Sequence, residues 1–192
     1  MTGSGGRRDD NRRRTGERIY AAAIELYQAN GFDHVTVGMI AERAGVSVPT
    51  FYAHYSSKEI MLMPLPRREE VTAVLAPQPT GLPPTERATN GIYLWLELID
   101  KHERESVLER WQIIAATPSL RLRTAEFERA TAAVVLDALS EEKGGSMPPA
   151  VELGINALMT AYTQIILRWA EGDGRQSLEE VAEDVLAALR EL

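Results

Sequence analysis

The chain has 192 residues, 44% hydrophobic and 26% charged, with no cysteine and a formal net charge of −7. That is globular composition at a length that buries a core without covalent staples. The absent cysteines exclude disulfides and thiolate metal sites, and the three histidines (His34, His54, His102) have no metal-ligand spacing.

Residues 1–14 are rich in Gly and Arg and read as a flexible basic arm, carrying Arg7, Arg8, Arg12, Arg13 and Arg14. They have arginines but no apolar run, so they are not expected to act as a secretory signal. A helix is expected from Thr15, its cap, with the apolar stripe Ile19, Ala22, Ala23, Leu26 and Tyr27, ending at Asn30-Gly31. Thr36 is cap-like, and Val37, Ile40, Ala41 and Ala44 form a second short stripe closed by Gly45. Ser47 caps a third helix with Pro49 in its first turn, where proline loses no hydrogen bond. Ser57 caps a fourth helix starting at Lys58. The second and third helices, joined by a tight glycine turn and supported by the first, make a helix-turn-helix over residues 15–63.

The third helix has a polar, ring-rich outer face that suits the major groove of double-stranded DNA. Small groups near its N-terminus let the backbone approach base edges, and ring and hydroxyl groups grip phosphates. Ser47 and Thr50 can donate to phosphate or base, Val48 and Pro49 can touch a thymine methyl, and Tyr52 and His54 can bond phosphate oxygens. Lys58, at the next helix N-terminus, is expected to meet phosphate. Arg13 and Arg14 in the arm add affinity without sequence preference. The charge split agrees: residues 1–63 carry a net +1 and residues 64–192 a net −8, which points to different partners for the two parts.

The stretch "TGERIYAAAIELYQANGFDHVTVGMIAERAGVSVPTFYAHYSSKEIML", residues 15–62, resembles the DNA-binding domain of TetR/AcrR-family regulators. The resemblance rests on the I-x-x-A-A-x-x-L-Y-x-x-x-G-F opening, the I-A-x-x-A-G-V-S turn and the T-F-Y-x-H-Y-x-x-K-E close. It implies DNA contacts at Thr36, Ser47, Pro49, Thr50, Tyr52, His54 and Lys58. Gly38 departs from it, since some members carry a base-reading polar residue there.

Residues 64–192 are expected to form a larger helical domain for ligand binding and dimerisation, so the chain as a whole is all-α. Pro64 and Pro66 break any helix at its start, a short piece follows over 68–76, and residues 76–84 are a Pro/Gly loop. Helices are expected over 85–101, 104–116, 118–142, 149–171 and 177–191, the last opened by a Ser177–Glu180 capping box. Helix 149–171 carries Val151, Ile155, Leu158, Met159, Tyr162, Ile165, Ile166 and Trp169 on more than one face; helix 177–191 carries Leu178, Val181, Val185, Leu186 and Leu189. A helix apolar on two faces is buried on two sides, by its own core or by a twin subunit.

The resemblance implies that these two helices form a homodimer interface, here expected at Val151, Ile155, Leu158, Ile166, Val181, Val185 and Leu189. It also implies an interior pocket for a small effector, expected among Trp95, Trp111, Ile114, Phe127, Met159 and Tyr162. "TPSLRLRTAEFERATAAVVLDALSEE" and "ILRW" resemble, less specifically, mycofactocin-regulator-like C-terminal domains. No nucleophile elbow, phosphate loop or carboxylate–histidine pairing is present, so neither an enzyme nor a cofactor site is expected. Apolar runs shorter than a membrane span leave a cytoplasmic protein as the expectation. The expected function is ligand-responsive transcriptional regulation, as a dimeric repressor of a pseudo-palindromic DNA operator; the competing expectation is a ligand-binding or scaffold protein without specific DNA binding.

Overall fold

The computed structural model describes residues 5–191. Among the described residues the chain is all-α, with no strand, and it divides into two compact units, Met1–Pro64 and Leu65–Leu192.

The first unit comprises α1 (Gly5–Asn30), a 3-10 turn (Phe32–His34), α2 (Val37–Arg43), α3 (Val48–His54) and α4 (Lys58–Leu62). Helix α1 begins ten residues before the expected Thr15, so the part of the expected arm from residue 5 onward is helical; its first four residues lie outside the described residues. The physical cause is charge spacing. Arg13 pairs with Asp10 and Glu17, both at 2.7 Å, and Arg14 with Asp10 at 3.6 Å, so opposite charges three and four apart share one helix surface. The core holds Ile19, Ala23, Tyr27, Phe32, Val35, Ile40, Phe51 and Leu62. The rings of Tyr27 and Phe32 sit 5.0 Å apart. Gly45 turns the chain between α2 and α3 at φ +64°, a left-handed conformation a β-carbon disfavours.

The second unit holds α5 (Arg68–Leu75), α6 (Pro84–His102), α7 (Arg104–Ala116), α8 (Pro118–Lys143), α9 (Pro149–Glu171) and α10 (Leu178–Arg190). Helix α9 is its axis: α6, α7, α8 and α10 all pack on it, while α5 lies against α6 and α8. A β-carbon at Gly154 would come within 2.7 Å of Thr85 Cγ2, so glycine is what lets α9 approach α6 this closely. The largest fully buried side chains here are Trp169, Leu75, Ile114, Leu120, Leu139, Ile155, Ile165 and Ile166. Helix α9 is, by length and composition alone, apolar enough to cross a membrane, contrary to the expectation from short apolar runs. Four packing partners account for that apolarity, since a helix covered on several sides keeps only a narrow polar face.

Arginines tie α5 to the rest of this unit. Arg68 pairs with Asp137 and Glu141 of α8. Buried Arg87 of α6 pairs with Glu142 and donates to the Leu75 carbonyl at 2.9 Å, capping the end of α5. Gln78 donates to the carbonyls of Val74 (2.8 Å) and Arg87 (3.0 Å) beside it.

Candidate functional site

The outer edge of the helix-turn-helix is built from α3 and its cap. The Thr50 amide donates to Ser47 Oγ at 3.2 Å, and the two hydroxyls lie 2.7 Å apart. Thr36 caps α2 in the same way, accepting from the Met39 amide at 3.2 Å. Thr36 and Ser47 thus both hold helix starts, with their hydroxyls at the surface.

Ser47, Val48, Pro49, Tyr52 and Ala53 are exposed. Tyr52 is 54% exposed, and its ring stands edge-on to buried Phe51 at 5.5 Å, which orients it outward. Thr50 and His54 are half-buried. His54 turns toward α1: a β-carbon at Gly16 would meet its Nδ1 at 3.4 Å, and its ring lies 6.4 Å from that of Tyr55. The Tyr55 hydroxyl donates to the Gly16 carbonyl at 3.2 Å, and burial, then the Glu17 charge, pushes its pKa up.

Two expected cation roles differ in the structure. Lys58 Nζ donates to the carbonyls of Phe32 and Val35, both at 2.8 Å, and lies 4.1 Å from the Phe32 ring centre. Its ammonium closes the 3-10 turn, bonding the Val35 carbonyl and adding a second bond to the Phe32 carbonyl, which also accepts from the Val35 amide at 3.2 Å, so it is turned inward from the expected phosphate contact. Arg13 is held by two carboxylates of its own helix. Arg12, which had no individual role, donates to the Ala53 carbonyl at 3.1 Å and joins α1 to the last turn of α3. Nothing in the spacing of a run of arginines distinguishes it from its neighbours.

The residues expected to line a pocket gather where α6, α7, α8 and α9 pack. Ile114 is fully buried, Trp111 and Met159 are buried, and Trp95, Phe127 and Tyr162 are half-buried. Trp111 and Phe127 meet edge-on at 6.4 Å. Burial pushes the Tyr162 hydroxyl up to about 12, against the pull of the Arg110 charge and of a hydrogen bond with Trp95, and with a small push from Glu103.

The expected dimer residues are largely used inside one protomer. Ile155 and Ile166 have no exposed surface, Leu158 and Val181 are buried, and Val151, Val185 and Leu189 are half-buried. The second apolar face of α9 is taken by the protomer's own helices, so Ile155, Leu158, Ile166 and Val181 are core. The exposed residues of α9 include Glu152, Leu153, Asn156, Thr160, Gln164 and Arg168, with Ala157 half-buried beside them, and Leu153 is 72% exposed.

Residues 19–63 match the family model described as bacterial regulatory proteins, tetR family. The HTH-type transcriptional regulator TcmR of Streptomyces glaucescens is 31% identical over 122 residues, covering 60% of this chain and 54% of its own length. YdeS, an uncharacterized HTH-type transcriptional regulator of Bacillus subtilis, is 47% identical over 49 residues, covering 26% of this chain and 25% of its own. The chain therefore spans about half the length of TcmR and about a quarter of that of YdeS. Among solved structures, NalD, the secondary repressor of the MexAB-OprM multidrug efflux pump in Pseudomonas aeruginosa, superposes with TM-score 0.60 at 18% identity, covering 93% of this chain and 96% of its own. The TetR-family repressor FadR of Thermus thermophilus, in complex with lauroyl-CoA, gives 0.50 at 25% identity, with coverage of 91% and 92%. TcmR and YdeS are both described as HTH-type transcriptional regulators.

Proposed function

We propose that this chain, whose residues 19–63 match the tetR family model of bacterial regulatory proteins, is a repressor that binds a pseudo-palindromic DNA operator as a homodimer and is released by a small apolar or amphipathic effector. The observation that carries the DNA reading is the exposed edge Ser47, Val48, Pro49, Tyr52 on a helix capped and wedged by buried Phe51. An exposed tyrosine and an exposed valine on one short helix are unused by the core and suit phosphate oxygen and thymine methyl. Two such edges, about one DNA turn apart in a dimer, read a two-fold site.

The aromatic junction around Trp111 and Met159 is the proposed effector site. Two relatives of the same fold support it: FadR is described with lauroyl-CoA, and NalD is described as the repressor of a multidrug efflux pump. The effector would act by favouring one of two conformations with different DNA affinity. The exposed face of α9 around Leu153 is the proposed dimer surface, its small residues Ala157 and Thr160 allowing close approach of a second copy.

A mobility-shift titration with the DNA upstream of the protein's own gene is the test. Tyr52→Ala should weaken binding by about tenfold, the order of one good phosphate or base contact, with thermal stability within about 0.5 kcal/mol of wild type, as for an exposed site. Unchanged affinity in Tyr52→Ala, or no shift with any upstream fragment, would favour a ligand-binding protein without specific DNA recognition.

A further inference from the structure

Among the described residues, the half-buried and buried arginines of the second unit are matched to carboxylates with one exception. Arg68 has Asp137 and Glu141, Arg87 has Glu142, and Arg104 has Asp100, the Gly174 carbonyl at 2.7 Å and the Trp169 ring at 5.1 Å. Among the described residues Arg110, half-buried on α7, has no carboxylate within salt-bridge distance, and its Nε is sealed from solvent with no hydrogen-bond acceptor. It occupies an inward position: Val107, Trp111 and Ile114, at helical spacing around it, are buried, and α7 packs on α9. Its charge reaches the hydroxyl of Tyr162 on α9, which in turn bonds with Trp95 of α6.

Elsewhere on α9, Thr163 Oγ1 and Trp169 Nε1, with side chains almost wholly buried, also lack partners, but the Trp169 ring lies against Arg104 and not against Arg110. A guanidinium and an indole N–H are donors only, and buried donors without acceptors are rare in native proteins because each costs free energy. A ligand that brings an oxygen acceptor to the Arg110 guanidinium supplies the partner this side chain lacks. A forked guanidinium at an inward position, with apolar rings about it, fits a carboxylate or phosphate on an apolar body.

The geometry points to an effector of a definite class: an amphipathic organic anion whose acidic head docks on Arg110, beside Tyr162, with its apolar body among Trp95, Trp111 and Met159. This rests on the effector-responsive reading above and narrows it to anions.

The full chain provides its own probe. Trp95, Trp111 and Trp169, its three tryptophans, all lie in the second unit, so their emission reports on that unit. Laurate and dodecanol are titrated against wild type, Arg110→Gln and Arg110→Lys; they share a chain length and differ in charge. Laurate is expected to bind wild type about tenfold or more tighter than dodecanol, the scale of one charge-assisted bidentate pair. Arg110→Gln should remove that advantage and leave dodecanol affinity unchanged, while Arg110→Lys, a charge without the fork, should retain part of it.

The inference is overturned if laurate binds no tighter than dodecanol, if Arg110→Gln holds laurate as wild type does, or if neither probe binds below millimolar concentration. Should Arg110→Gln fail to fold by circular dichroism, the wild-type ratio and Arg110→Lys decide. A mobility shift in parallel separates the two readings. Laurate bound without operator release counts against the regulatory mechanism alone; operator release by an uncharged compound, with laurate unbound, counts against the anion alone.

Discussion

At the scale of single residues, the first unit turns side chains that look like DNA contacts into parts of its own scaffold. Lys58 is the clearest case. Its ammonium satisfies the Phe32 and Val35 carbonyls and rests on the Phe32 ring. Lys58→Met keeps the apolar stem and removes the charged donor from both carbonyls, of which Phe32 keeps the Val35 amide. It is expected to lower stability by about 2 kcal/mol, the scale of hydrogen bonds to a charged group, measured by urea unfolding of the full chain. The slope of log affinity against log salt should stay as in wild type; were the Lys58 ammonium bound to a phosphate, its removal would reduce that slope by about one. Tyr52 is the opposite case, since its hydroxyl and half its ring are left to solvent. The two substitutions separate scaffold from contact within one helix-turn-helix.

At the scale of elements, α5 depends on arginines donated to and from its neighbours. Two turns long, it is too short to be stable by itself. It is held by Arg68 reaching to α8 and by Arg87 of α6, which caps its last turn and pairs with Glu142. Arg87 is buried while Glu142 is exposed, so Arg87→Met loses the bonds to Glu142 and to the Leu75 carbonyl without burying a lone charge, and should cost about 2 kcal/mol in thermal or chemical unfolding, the scale of hydrogen bonds to a charged group. The same bond sets a pH dependence. The hydrogen bond from Arg87 holds the Glu142 carboxyl below its usual range. A carboxylate with a depressed folded-state pKa adds stability that is full above its unfolded pKa and lost as the pH falls through the folded value. Wild-type melting temperature should therefore fall as the pH drops below about 4.5, and Arg87→Met should flatten part of that fall.

At the scale of the whole molecule, charge is divided with the fold. The unit that carries the helix-turn-helix is close to neutral, and the acidity lies in the larger unit. An acidic body repels DNA, so the proposed DNA contact falls to the near-neutral first unit. Assembly belongs to the same scale. With Ile155, Leu158, Ile166 and Val181 used in the protomer core, the proposed partner surface is the exposed face of α9, where Leu153 is 72% exposed. Leu153→Arg should shift sedimentation from dimer toward monomer while leaving circular dichroism unchanged, because the side chain makes little use of the protomer core. Operator affinity should drop with it, since two recognition helices bind as one unit only when joined. Dimer sedimentation that is unchanged in Leu153→Arg would move the proposed interface elsewhere.

Local chemistry made much of this protein legible in its sequence. The caps at Thr36, Ser47, Ser57 and Ser177, the break at Gly45 and the proline at 49 mark helix boundaries within a residue or two of those observed. They do so because capping, left-handed turns and the missing proline N–H act over three or four residues. The exposed edge of α3 was legible for the same reason: periodicity separates Phe51 from Tyr52. The start of α1 was not, because glycines and repeated arginines argue for a loose arm until Asp10, Glu17 and the Ala53 carbonyl are seen to hold the arginines.

Only the tertiary structure decided what each apolar or cationic side chain faces. Apolar pattern shows that α9 is covered on two sides, but not whether the cover is its own chain; here α6, α7, α8 and α10 provide it. It likewise shows a lysine at the start of α4, but not that distant carbonyls claim its charge, nor that Arg110, among the described inward arginines of its unit, is the one left without a carboxylate. The physical reason is range. Backbone hydrogen bonds close within one turn and can be read along the chain, whereas burial and ion pairing join residues tens of positions apart and exist only after the helices have packed.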